Sequence, residues 1–253
     1  MLRGMTVQRL SAPAPSEKQP AARRAGQQAP RKGLSGALER RASRSVGGLE
    51  LLAVLVAVMW IVEVINALDA NRLDTAAGLY ARNADHLWAI FTSPFLHAGF
   101  GHLLANTIPF IFMGAIIALR GAARLALVTL IVVIVGGLGT WLISPAGTDT
   151  VGASGIVFGY AGYLLTRGLF DHSFGELVTG AVVGVLWGTV LIASLIPHGH
   201  VSWQGHLTGA LGGVIAAWLL ARRDRRRGVQ EGRWPDLRSA RQPPPAYPAA
   251  RTK

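Results

Sequence analysis

The sequence predicts an all-α polytopic membrane protein built on six transmembrane helices, with basic, disordered tails at both ends. Three observations carry this. The 253-residue chain is 51% hydrophobic and only 15% charged. Its apolar residues gather in blocks between about residue 51 and residue 221. Its positive charge lies mainly outside or between those blocks. A water-soluble core of this size shows shorter apolar runs and more surface charge.

The division follows from composition. Residues 1–48 are rich in Ala, Pro, Arg and Gln, lack the apolar stretch of a signal peptide, and read as a disordered cytoplasmic tail. Residues 49–221 hold the six spans. Residues 222–253 open on Arg222, Arg223, Arg225, Arg226 and Arg227, pass into "RQPPPAYPAAR", and read as a second basic cytoplasmic tail. The net charge of +12 is therefore assigned to membrane orientation and anionic headgroups, because no interleaving of aromatic and basic residues points to nucleic acid. The chain has no cysteine, which excludes disulfides, thiolate metal sites and a cysteine nucleophile.

The spans are expected at Leu51–Leu68, Ser93–Leu119, Arg124–Ile143, Ser154–Leu169, Leu177–Ile196 and Trp203–Ala221. A crossing takes about 20 residues, so the fourth is short and starts below one membrane face. With the N-terminus inside, Arg120, Arg124, Arg167 and the Arg222–Arg227 group fall on the cytoplasmic side. The turns at Ser144–Thr150 and Pro197–Val201 fall outside and contain no Lys or Arg. Both termini are thus expected in the cytoplasm of a cell that composition suggests is bacterial, the chain crossing its plasma membrane. The long first outer loop, Asp69–Thr92, contains the partly amphipathic "GLYARNADHLW".

Spans two, four and six all begin outside, so their early residues share a depth. Span two opens with "SPFLHAGFGHLLANTIPF", carrying His97, His102 and Asn106; span four with Ser154; span six with "SWQGHLTGALGG", carrying His206. Polar side chains in a bilayer are costly and face a bundle interior or a wet cavity. His102 and Asn106, four apart, share a helix face, while His97 is rotated roughly 140° from His102 if both are helical. Gly155 and Gly159, like Gly209 and Gly213, form G-x-x-x-G pairs that let helix backbones meet closely.

These residues resemble the rhomboid family of intramembrane serine proteases, over a core of about Leu51 to Ala221. The resemblance rests on "GASG" around Ser154, on His97, His102 and Asn106 in His-x4-His-x3-Asn spacing, and on "GHLTGALGG" from His206. It implies a Ser–His dyad, with Ser154 the nucleophile and His206 the general base. It implies an oxyanion site shaped by His102, Asn106 and the backbone near Ser154, with Gly152 matching the family's glycine two before the serine. The implied substrates are transmembrane segments of other proteins, cut without cofactor or metal. Two positions depart from the pattern: Trp88-Ala89 stands where the family commonly has Trp-Arg, and Phe158 where many members have Tyr.

No carboxylate between His86 and Arg223 suits a third triad member: Asp171 and Glu176 lie at the cytoplasmic depth, and Asp149 lies in a loop. Tyr160 is a candidate for orienting His206 instead. Glu63 is expected to hold the first loop together with Asn66. His198 and His200 form an H-x-H too sparse for a metal site. The competing class is a non-catalytic rhomboid-like protein that binds membrane clients; such proteins lack the Ser or His that this chain keeps. Neither substrate identity nor oligomeric state is legible.

Overall fold

The computed structural model describes residues 22–197 and 202–230. The chain divides into two compact units, Met1–Ser43 and Arg44–Lys253. Of the first, only the opening turns of a long helix are described. That helix, α1 (Ala22–Leu68), starts well inside the segment expected to be unstructured. Its Ala, Arg, Gln, Leu and Glu content favours helix, and the apolar stretch behind it supplies a nucleated template.

The second unit contains the end of α1, a short helix α2 (Arg72–Ala77), strand β1 (Leu79–Tyr80), two 3-10 turns at Ala84–Ile90 and Ser93–Phe95, and helix α3 (Phe100–Ala118). Helix α4 (Ala122–Ile143) and strand β2 (Asp149–Thr150) follow, then α5 (Ser154–Asp171), α6 (Phe174–Ala193) and α7 (Trp203–Gln230). Strands β1 and β2 pair antiparallel, Leu79 opposite Thr150 and Tyr80 opposite Asp149. The long first loop is thereby tied to the turn that precedes Ser154.

Among the described residues, four helices are long and apolar enough to cross a membrane: Leu38–Leu68, Phe100–Ala118, Ala122–Ile143 and Phe174–Ala193. Helices α5 and α7, expected as spans four and six, differ from them for a physical reason. Helix α5 occupies the middle of the bundle and α7 packs closely on it, so fit matters more than apolarity. Ile156 through Leu164 are buried without a break, so α5 is covered on every side. Small residues make this possible. A methyl group on Gly209 would strike the carbonyl oxygen of Gly155, and one on Gly213 would strike the carbonyl of Gly159. Here α7 meets α5 backbone to backbone. Gly159 itself faces the Val132 side chain of α4, and Gly155 has ordinary room beside the Gly205 carbonyl.

Several positions differ from expectation. The second span begins at Phe100 rather than Ser93, because Pro94 sets a 3-10 turn and Gly99, at φ 110°, turns the chain into the helix. Residues 228–230 of the C-terminal segment, and Arg222 to Arg227 before them, continue α7 as helix. Asp149, expected in a loop, lies in β2. His198, His200 and residues 231–253 lie outside the described residues.

The far end of the bundle holds a charge network. Arg167, 2% exposed, donates from Nη1 to the Tyr163 hydroxyl at 2.8 Å and from Nη2 to Asp224 at 3.0 Å. It also pairs with Asp171 at 2.5 Å. Arg124 reaches the same Asp224 oxygen at 2.6 Å, and Arg120 pairs with Glu176. These pairs join α4, α5, α6 and α7 at the end opposite Ser154. A buried charge is tolerated only when its partners surround it.

Candidate functional site

Ser154 is the first residue of α5 and half-buried. The first-turn N–H groups of a helix have no partner within it, so the positive end of the α5 dipole surrounds this hydroxyl. The preceding turn depends on Gly152. Its φ is 120°, and a Cβ there would lie 2.8 Å from Cε1 and 3.0 Å from Nε2 of His102, and 3.6 Å from Nδ2 of Asn106. Only a residue without a side chain fits. The structure thus gathers Gly152, His102 and Asn106 against the peptide before Ser154. Asn106 is buried, and its Nδ2 has no hydrogen-bond partner among the described residues. A buried amide donor left over in this way points to a ligand oxygen.

Two backbone donors of the turn are already committed. The N–H of Gly152 donates to the Ser93 carbonyl at 2.9 Å, and that of Ala153 to Nε2 of His97 at 3.3 Å. Gly152 therefore contributes space to the site, not a hydrogen bond. His97 is fully buried and, because Nε2 accepts, its ring is neutral. Burial, with His102 close by, lowers its pKa to about 4. The expected rotation of His97 away from His102 does not occur, since His97 lies in the loop before α3 and not on it. The rings meet edge to face at 5.2 Å.

The loop is fixed from α1. Asn66 donates from Nδ2 to Asp74 at 3.0 Å and accepts from the Leu73 N–H at 3.1 Å; its Nδ2 also lies 3.5 Å from the His97 carbonyl. Asn66 thus fastens the loop, with Glu63 buried one turn before it. On the far side of the loop, Trp141 Nε1 donates to the Asn83 carbonyl at 3.0 Å.

His206 sits in the first turn of α7, 5% exposed. Phe158 is one turn beyond Ser154 on α5 and shares its face. The Phe158 ring stacks on the His206 imidazole, with centroids 4.1 Å apart and planes 2° from parallel. The close seam between α5 and α7 holds both at one level. Nδ1 of His206 lies 2.9 Å from the main-chain carbonyl of Ser194, the C-cap of α6. Tyr160, the expected partner of His206, instead shares a 2.7 Å hydrogen bond with Thr129 on α4. Tyr160 lies two residues beyond Phe158, about 200° around the helix, and faces away from the imidazole.

A cavity of about 50 Å³ opens beside Ser154, lined by Ser93, Thr140, Gly152, Ser202 and Gly205 among others. One water needs about 10–15 Å³ of such space and two to four polar partners, so several fit.

Residues 84–223 match the Rhomboid domain family. An uncharacterized protein of Mycobacterium tuberculosis is 42% identical over 189 residues, covering 72% of this chain and 78% of its own. An uncharacterized protein of Mycobacterium leprae is 41% identical over 195 residues, covering 74% and 76%. Rhomboid protease GluP of Bacillus subtilis is 29% identical over 140 residues, 53% of this chain and 26% of that protein. The family match spans more than half of the chain and contains Gly152, Ser154 and His206, so this multi-pass membrane protein belongs to the rhomboid family.

Proposed function

We propose that the chain is a serine endopeptidase that cuts peptide bonds in or near transmembrane segments of other membrane proteins. One observation carries the reading: the Phe158–His206 stack, which sets an imidazole beside the face of α5 that bears Ser154. Ser154 is the nucleophile, and His206 takes its proton during attack and returns it to the leaving amine. As the carbonyl carbon becomes tetrahedral, its oxygen gains charge. Asn106 Nδ2, the His102 ring and the N-terminus of α5 offer donors for that charge. The cavity beside Ser154 holds the water that releases the acyl group.

In this reading α5 and α7 complete six spans, with Ser154 recessed under the outer face and both termini cytoplasmic. A transmembrane substrate reaches Ser154 from the side and unwinds there, because a helical amide is sterically guarded and internally bonded. Small or helix-weakening residues near the cut follow from that requirement.

The test uses purified full-length protein in detergent with a single-span substrate. Ser154→Ala and His206→Ala each abolish cleavage while leaving the thermal unfolding midpoint in place. A fluorophosphonate labels the wild type at Ser154 and leaves Ser154→Ala unlabelled. A folded wild type that neither cleaves nor labels would overturn the reading in favour of a client-binding relative.

A further inference from the structure

A serine hydrolase histidine needs a group that holds its second nitrogen. We propose that the main-chain carbonyl of Ser194, at the C-terminus of α6, fills that position. This rests on the dyad reading above and deepens it.

The chemistry follows from the atoms. A carbonyl oxygen carries no proton, so across the 2.9 Å contact Nδ1 of His206 must donate. The neutral ring then carries its proton on Nδ1 and presents a bare Nε2, the form able to accept from a serine hydroxyl. The last four carbonyls of a helix lack partners inside it and form the negative end of its dipole. Helix α6 is 20 residues long, and Ser194 continues its αR backbone at φ −75° and ψ −6°. A cation is favoured at such an end, so α6 stabilises the imidazolium that forms when Ser154 attacks. No proton passes to the carbonyl; the Nδ1–H stays in place while Nε2 gains a proton from Ser154 and later gives it to the leaving group.

The same bond ties histidine geometry to the placement of α6. In its first half this helix sits on α5 through Gly180, beside the Leu164 carbonyl. Its later residues are open: Val185 is 83% exposed and Ile192 67%. The carbonyl that orients His206 therefore belongs to the more loosely packed half of the helix. Ser194 is a positioning residue through its backbone, so its side chain is dispensable. Its hydroxyl only caps Val190 in the turn before.

The experiment replaces the Leu195 amide with an ester, by suppression with the α-hydroxy analogue of leucine in the full-length protein. An ester carbonyl at Ser194 is a weaker acceptor. The replacement also removes the Leu195 N–H to Ile192 bond, so an ester at Ile196, which removes the equivalent bond to Ala193, is the control. The Leu195 ester lowers kcat roughly tenfold with KM unchanged, and moves the acid limb of the pH profile to lower pH, because a less stabilised imidazolium loses its proton more readily. The Ile196 ester leaves the profile in place. Identical behaviour of the two esters overturns the proposal.

A second readout is independent of cleavage. In 15N-histidine NMR of the wild type, with His206 assigned by its absence from His206→Asn, the neutral ring shows its proton on Nδ1. A proton on Nε2 overturns the proposal even if Ser154 labels normally. Absence of labelling at Ser154 would instead end the protease reading while leaving the tautomer result intact, so the two failures are told apart.

Discussion

The ring of Phe158 lies flat on the imidazole of His206, 4.1 Å from centroid to centroid. Many family members place a Tyr there, and the stack shows that the hydroxyl is not needed to hold the ring. Phe158→Tyr is expected to keep wild-type kcat. Phe158→Leu removes the flat surface and lowers kcat about fivefold at constant KM, in line with the modest energy of such pairs. Steady-state cleavage of a single-span substrate measures both. Equal losses in the two variants would show that bulk, not stacking, positions the histidine.

Gly152 is expected to tolerate nothing larger. Gly152→Ala combines a φ of 120° with a Cβ 2.8 Å from the His102 ring. Either the ring or the turn that leads into Ser154 must move. Cleavage falls at least a hundredfold, a size typical of losing an oxyanion donor, and fluorophosphonate labelling slows in parallel. Near-normal labelling with lost cleavage would instead place the damage in substrate binding.

The α5–α7 seam yields a contrast between two glycines. Gly213→Ala drives a methyl group against the Gly159 carbonyl and, at 2.7 Å, the Tyr163 nitrogen. Overpacking of this kind costs about 1–3 kcal/mol, read as a lower unfolding midpoint in detergent. Gly188, on the open half of α6, has nothing within 4 Å of where its Cβ would lie. Gly188→Ala leaves the midpoint unchanged or raises it slightly.

His97 gives the fold a pH dependence with a definite sign. Folded, its pKa is about 4, whereas an unfolded histidine titrates near 6.5. Below pH 6.5 the unfolded chain binds the extra proton and the folded one does not. Stability contributed by the neutral ring is therefore complete above 6.5, falls as pH drops toward 4, and levels off below that. His97→Gln keeps an acceptor for the Ala153 N–H but does not titrate. Its unfolding midpoint is flatter than the wild type's between pH 4 and 6.5, and parallel slopes would remove His97 as the cause.

Arg167→Leu leaves Asp171 and Asp224 short of a partner at the buried end of the bundle. The carboxylates left behind are partly exposed and Asp224 keeps Arg124, so the loss is smaller than that of a fully buried pair, and a lowered thermal unfolding midpoint should show it. Arg167→Lys recovers only part, because one ammonium cannot span Tyr163, Asp171 and Asp224 as the guanidinium does.

Much of the candidate site was legible because its residue types are rare in apolar helices. Ser154, His206, His102 and Asn106 stood out at a shared depth, and Gly152 through its spacing from the serine. The glycine pairs pointed to the α5–α7 seam, although Gly159 turns out to face α4. What stayed hidden was set by tertiary structure. The loop conformation of His97 depends on Pro94, Gly99 and the anchor at Asn66. Asp224 lies just past the apolar block and meets Arg124 and Arg167, 100 and 57 residues away. The Ser194 carbonyl leaves no mark in the sequence, since every residue carries one. The expectation for Tyr160 failed because helix phase turned it toward Thr129.

The glycine seam has one more outcome, and it concerns what the bundle keeps out. An aqueous hollow sunk into one leaflet threatens the barrier that a membrane exists to maintain. Where Gly209 and Gly213 lie against the main chain of α5, there is no gap wide enough for a file of water to run down between the two helices, and the guanidinium at the opposite end is ringed by its own counterions. Under the proposed function, hydrolysis inside the lipid layer would then proceed without that pair of helices leaking ions or protons.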